Sequence, residues 1–139
     1  MRVYLDTSSL LKTVRREPGS AAMDRFMAAL TLAGGTAATS SLTVIEAHRA
    51  LRALAERGDI TLAGQPGDLV EAALAGIDEL PVNGQVVRLA RWIGPPLLRS
   101  LDAIHLASAL LDGADLVVTY AHRLAAAAAA ANIKAESPA

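Results

Sequence analysis

The chain has 139 residues, enough for one domain to bury a core without staples, and residues 1–139 read as a single domain. It holds no cysteine, which excludes a disulfide framework, a cysteine zinc site and a thiol nucleophile. Its net charge of −1 excludes a protein that coats nucleic acid by bulk electrostatics, so any nucleic-acid role must rest on a local site.

Val3-Tyr4-Leu5 is a run of strand formers ending in Asp6. Thr7, Ser8 or Ser9 can then cap the helix that Leu10-Leu11 begins. Pro18-Gly19 breaks the pattern, Ser20 restarts a helix to about Leu32, and Gly34-Gly35 ends it before a brief strand at Thr36 to Thr39. Ser40, Ser41 or Thr43 can cap a helix from about Val44 to Arg57, stopped by Gly58, whose apolar face is Val44, Ala47, Leu51, Leu54 and Ala55. A weak helix near Leu69 to Ile77, a strand near Leu80 to Val82 and a helix from Gln85 to Ile93 precede the Gly94-Pro95-Pro96 break.

Ser100 to Leu111 reads as a helix apolar nearly all round, and Leu116 to Tyr120 as a strand whose continuous apolar run suits a buried parallel sheet. A last helix from about His122 to Ala131 and a strand around Ile133 complete the alternation. The expected fold is therefore α/β, with helices on both faces of a mainly parallel sheet. The alanine run near the end, Ala125 to Ala131, falls far short of the about 20 residues a membrane span needs. The N-terminus lacks the basic and apolar regions of a secretory signal, so no membrane association and a cytoplasmic location are expected.

Three carboxylates stand where they need explaining. Asp6 lies at the carboxyl end of the first strand, the edge where open α/β sheets bind ligands, although it can also simply cap the next helix. Asp102 sits in a helix that should be buried, and a buried carboxylate needs a partner; free N–H groups of the first turn behind a Ser100 cap are one candidate. Glu46 lies at the flank of its helix's apolar face, able to reach a cleft or to pair with Arg49. His105, three residues after Asp102, can orient that carboxylate, contact a phosphate or pack in the core. Together the acids make an all-oxygen set suited to a hard cation, Mg2+ or Mn2+, and so to metal-assisted hydrolysis of a phosphodiester. Without a cation, mutual repulsion is expected to raise their pKa values. With the three acids reserved as ligands, the remaining charges sum to +2, compatible with a mildly basic rim.

Val3-Tyr4-Leu5-Asp6-Thr7-Ser8, Ser41-Leu42-Thr43-Val44-Ile45-Glu46 and Leu101-Asp102-Ala103-Ile104-His105-Leu106-Ala107 resemble the motifs of a PIN domain, and the Thr119-Tyr120 strand end fits as well. Order, spacing and chain length resemble the VapC toxins of bacterial toxin–antitoxin pairs. The resemblance implies an α/β/α sandwich, a Mg2+- or Mn2+-dependent endoribonuclease acting on tRNA or rRNA, a homodimer, and a VapB-like antitoxin covering the active site. It also implies roles for individual residues: Asp6, Glu46 and Asp102 as catalytic metal ligands, Thr7 or Ser8 as a supporting hydroxyl, Thr119 as support for the metal's waters, and Arg99 as a phosphate contact.

One position departs from that pattern. The family usually carries a fourth aspartate directly after the Thr119-Tyr120 pair, where this chain has Ala121. Asp115 is a poor substitute at the far end of the strand, and His122 is expected to point elsewhere. A natural three-acid site and an alanine introduced to disarm a toxic chain both fit, and weaker metal binding is expected from either. A silent PIN fold that binds RNA or an antitoxin is the rival reading. A small-ester phosphohydrolase is another, but it would want a closed apolar pocket, whereas a nuclease can use an open groove lined by cations such as Lys12, Arg15, Arg16, Arg49, Arg52 and Arg99. Aromatic residues are few, so base stacking is not signalled. The alanine-rich faces of Met23 to Leu32 and Ala47 to Leu54 suit core packing, a twin subunit or an antitoxin helix alike.

Overall fold

The computed structural model describes residues 1–58 and 63–139. Five parallel strands form one sheet in the order β3-β2-β1-β4-β5: β1 Arg2–Leu5, β2 Thr36–Ser40, β3 Asp78–Leu80, β4 Leu116–Val118 and β5 Lys134–Glu136. Around them run α1 Thr7–Val14, α2 Ser20–Leu32, α3 Ser41–Arg57, α4 Pro66–Leu74, α5 Gly84–Ala90, α6 Ser100–Asp112 and α7 His122–Ala130. Among the described residues no helix is long and apolar enough to cross a membrane.

The period of two along the central strands divides the core. Val3 and Leu5 of β1, with Leu116 and Val118 of β4, pack against Met23 and Leu30 of α2. Tyr4 and Val117 point the other way, onto Leu106 and Ala109 of α6 and Leu124, Ala127 and Ala128 of α7. This is the expected sandwich. A third cluster, Leu10, Ala47, Leu51 and Val70, ties α1, α3 and α4 together. Met23, Ala47 and Leu51 thus serve the chain's own core.

β1 is the centre from which the chain winds outward in both directions, to β2 on one side and to β4 on the other. The carboxyl ends of β1 and β4 therefore flank the crevice where open α/β sheets bind ligands. The opposite edge is stitched by Arg2, which donates two bonds to Asp112 (2.8 and 2.9 Å) and one to Asp78 (2.6 Å).

Several boundaries differ from the pattern-based reading. α1 starts at Thr7 with Asp6 itself as N-cap, where Thr7, Ser8 or Ser9 was the expected cap. α3 begins at Ser41 behind a Ser40 cap, three residues earlier than Val44. α4 begins at Pro66, whose missing N–H costs nothing in a first turn, and ends at Leu74 before Gly76 turns the chain at φ +78°. β3 occupies Asp78–Leu80, because Pro81 has no N–H to continue the ladder. α5 stops at Ala90, short of Ile93. β4 stops at Val118, two residues short of Tyr120. β5 follows Ile133, which is spent on the end of α7: Asn132 adopts φ 61°, Ile133 N–H bonds to the Ala128 carbonyl, and the Ile133 side chain is buried. α6 has Arg99, not Ser100, at its N-cap, with no side-chain capping bond.

Candidate active site

Asp6 leaves β1 at the crevice, and the backbone turn that starts α1 fixes its side chain. Its Oδ1 accepts the Ser9 backbone N–H at 3.0 Å and the Ser8 hydroxyl at 2.7 Å. Its Oδ2 accepts the Thr119 hydroxyl, which arrives from the end of β4 and in turn accepts the Ala121 N–H. The Ser8 hydroxyl also accepts the Tyr120 N–H at 2.9 Å, closing the loop between the two strand ends. Asp6 is 4 % exposed, so these donors hold a nearly buried carboxylate. Thr119 and Ser8 thus act directly on Asp6.

Glu46, in the second turn of α3, is held on Oε1 by the Thr7 hydroxyl at 2.7 Å and by His105 Nε2 at 2.9 Å. It is not the solvated partner of Arg49. His105 is a core histidine that also reaches the site. It bonds Glu46 and not Asp102 on its own helix, and its Nδ1 meets the Tyr4 hydroxyl at 2.8 Å. A carboxylate only accepts, so neutral His105 carries its proton on Nε2, and Nδ1 accepts from Tyr4. Burial and the charge of Asp6 push the Tyr4 phenol well above its ordinary range, which keeps it a donor. Burial alone would raise the Glu46 carboxyl, but the hydrogen bonds that His105 and Thr7 donate outweigh it, and the net shift is downward. For Glu46 the expected rise from clustered charge is therefore reversed.

Asp102 lies in the first turn of α6. Its Oδ2 is buried and has no hydrogen-bond partner, so the first-turn N–H groups do not satisfy that oxygen. Arg123 at the start of α7 places its Nε 3.7 Å away, beyond hydrogen-bond range. An open cleft of about 350 Å³ is lined by Asp6, Thr7, Ser8, Glu46, Asp102 and His105, with Arg99 and Arg123 at its rim.

Of the expected basic contacts, only Arg99 lines this cleft. Lys12 pairs with Glu17 and lies over the Tyr120 ring, Arg15 also pairs with Glu17, and Arg16 pairs with Asp24. Arg49 and Arg52 share a separate surface of α3. Asp115 accepts the Arg2 N–H at the far edge of the sheet, and exposed His122 does not line the cleft. Arg123 was not singled out by sequence; its one signal is that it follows Ala121 by two residues, in a helical first turn.

Among the described residues no three acid or histidine side chains converge closely enough to enclose a metal ion as they stand. The chemistry of the cleft nevertheless suits a hard cation. Asp102 contributes an unpartnered buried oxygen, both bonds to Glu46 fall on Oε1 and leave Oε2, and Asp6 spends three of its roughly four lone-pair sites. Every available donor is an oxygen, and the unpaired Asp102 oxygen is the kind of orphan that a ligand resolves.

The PIN domain family matches residues 3–130. The chain is 40 % identical over 126 residues to Ribonuclease VapC47 of Mycobacterium tuberculosis, covering 88 % of this chain and 86 % of that protein. It is 35 % identical over 140 residues to Ribonuclease VapC35 of the same species, covering 98 % and 96 %. The crystal structure of VapBC2 from Rickettsia felis, bound to a DNA fragment from its promoter, superposes with a TM-score of 0.71 over the full length of both chains at 13 % identity, a likeness of fold.

Proposed function

The chain belongs to the PIN-domain family, in its VapC ribonuclease branch, and from that premise we propose that Asp6, Glu46 and Asp102 form its catalytic, metal-binding site. It is a toxin-type endoribonuclease, a hydrolase of RNA phosphodiesters. The observation that carries the site assignment is the buried, unpartnered Oδ2 of Asp102, a residue that lines the same cleft as Asp6 and Glu46. An all-oxygen donor set favours Mg2+ or Mn2+ over softer ions. When bound, a divalent cation supplies Lewis-acid charge at the phosphoryl oxygen and lowers the pKa of the attacking water.

The chain's own residues supply positioning. Ser8, Ser9 and Thr119 fix Asp6, Thr7 and His105 fix Glu46, and Arg99 offers its guanidinium to an RNA phosphate at the rim. Asp102 keeps its oxygen free for the cation. With Trp92 as the one strongly exposed aromatic among the described residues, recognition rests on backbone and shape, with affinity that falls steeply with salt.

Its partners are RNA, a VapB-like antitoxin and a second copy of the chain. Support for the antitoxin comes from the VapC relatives and from the VapBC2 structure. Support for the dimer is the exposure of Ile45, Trp92, Leu97 and Leu101, apolar side chains next to the site acids or in the segment between α5 and α6. The cytoplasm, where RNA and antitoxin are made, is the compartment of this activity.

The experiment is incubation of antitoxin-free protein with total cellular RNA in Mg2+, in Mn2+ and in EDTA, beside Asp6→Asn. Discrete cleavage that needs both metal and Asp6 is expected. RNA binding without cleavage, in a chain that carries Ala121, would instead mark a silent binding module.

A further inference from the structure

We propose that Arg123 is a substrate-phosphate residue of this active site, its guanidinium seated beside Asp102 where it meets the scissile phosphodiester. The proposal rests on the ribonuclease reading above and deepens it. Arg123 lines the same cleft as the three acids, and its side chain is 60 % exposed. Its contact with Asp102, Nε to Oδ2 at 3.7 Å, is too long for a hydrogen bond, and among the described residues the guanidinium makes no other ion pair or hydrogen bond. An exposed ion pair of that length is worth little, and Arg123 can leave it at small cost.

Charge balance gives the residue its place. Asp6, Glu46 and Asp102 carry three negative charges, and one divalent cation leaves one of them uncompensated. A phosphodiester entering that field would be repelled. Arg123 cancels the residual charge, and Arg99 then makes the occupied cleft attractive to an anion. A planar guanidinium with parallel N–H donors also matches two oxygens of a phosphate, which a point charge does not.

The test is equilibrium binding of a short fluorescein-labelled 2′-O-methyl oligoribonucleotide, which resists cleavage, over a salt series in Mg2+ and in EDTA. Wild type is compared with Arg123→Ala, Arg123→Lys and Lys134→Ala. Lys134 is exposed at the start of β5, on the opposite edge of the sheet, and removes the same unit of charge. Arg123→Ala is expected to weaken binding about tenfold and to lower the salt slope by about 1. Arg123→Lys should keep the slope and lose part of the affinity, and Lys134→Ala should change neither. Affinity and slope in Arg123→Ala equal to those in Lys134→Ala would overturn the inference alone. Wild-type protein that ignores the probe in both buffers would overturn the ribonuclease reading and the inference together.

Discussion

His105 Nε2 donates to Glu46 Oε1 at 2.9 Å, so a residue of the buried α6 helix sets the orientation of a carboxylate on α3. The Tyr4 hydroxyl behind it fixes the tautomer, and the three groups form a line from the sheet to the cleft. Groups that orient a metal-binding side chain matter nearly as much as the ligands themselves. If Glu46 holds the metal as proposed, His105→Ala lowers Mn2+ affinity, measured by calorimetry, by about 10- to 100-fold. His105→Gln, which restores an N–H near that position, should recover part of it. A folded His105→Ala protein with wild-type Mn2+ affinity would remove His105 from the site.

Thr119→Val should destabilise the fold by about 1–3 kcal/mol, read from the urea midpoint. The substitution preserves shape but takes the hydroxyl donor from Asp6 Oδ2 and the acceptor from the Ala121 N–H, and Asp6 is 4 % exposed. Because the same bond joins the ends of β1 and β4, cleavage of RNA should fall with it. A midpoint indistinguishable from wild type would show that water replaces the hydroxyl.

What the sequence made legible were features carried by local pattern. Asp6 ends a three-residue apolar run, and Asp102 interrupts a helix apolar nearly all round; both are anomalies visible without a structure. The partner of His105 was not visible, because helical spacing points to Asp102 three residues away, whereas the bond goes to Glu46 fifty-nine positions earlier in the chain. Tyr4 was read only as a strand former. Its alternation with Val3 and Leu5 implies the face opposite to theirs, but not that α6 supplies the acceptor there. Arg123 was hidden for the same reason, since the approach of α7 to α6 is a tertiary fact. Boundaries failed where a special residue acted unseen: Pro66 opening α4, Pro81 closing β3 and the left-handed Asn132 drawing Ile133 into the core.

Acid stability should carry a contribution from Glu46. Its carboxyl lies below the ordinary value of 4.5 in the folded chain, so the folded state binds that proton less readily than the unfolded state. The resulting stability is present in full above about 4.5 and is lost as pH falls through the lower folded value. The side chain is 28 % exposed, and solvent screening keeps the effect small. Metal-free wild type and Glu46→Gln, each unfolded in urea from neutral pH down to pH values below that range, should differ in slope there, with the wild type falling more steeply. Parallel curves would mean that His105 and Thr7 do not favour the ionised carboxyl.

Ala121→Asp separates two consequences of one side chain. Ala121 is the N-cap of α7 and offers no capping bond, so an aspartate there should stabilise the helix by about 0.5–2 kcal/mol even in EDTA. Asp6 shows that capping and cleft duty are compatible, since it caps α1 while lining the site. If position 121 faces the acids, the variant should also bind Mn2+ more tightly and cleave RNA faster, because added carboxylate charge offsets the dehydration of the cation. Calorimetry and urea unfolding on the same preparation distinguish the cases. A gain in stability without any gain in Mn2+ affinity or cleavage would assign position 121 to helix capping alone and leave a three-acid site as the chain's own design.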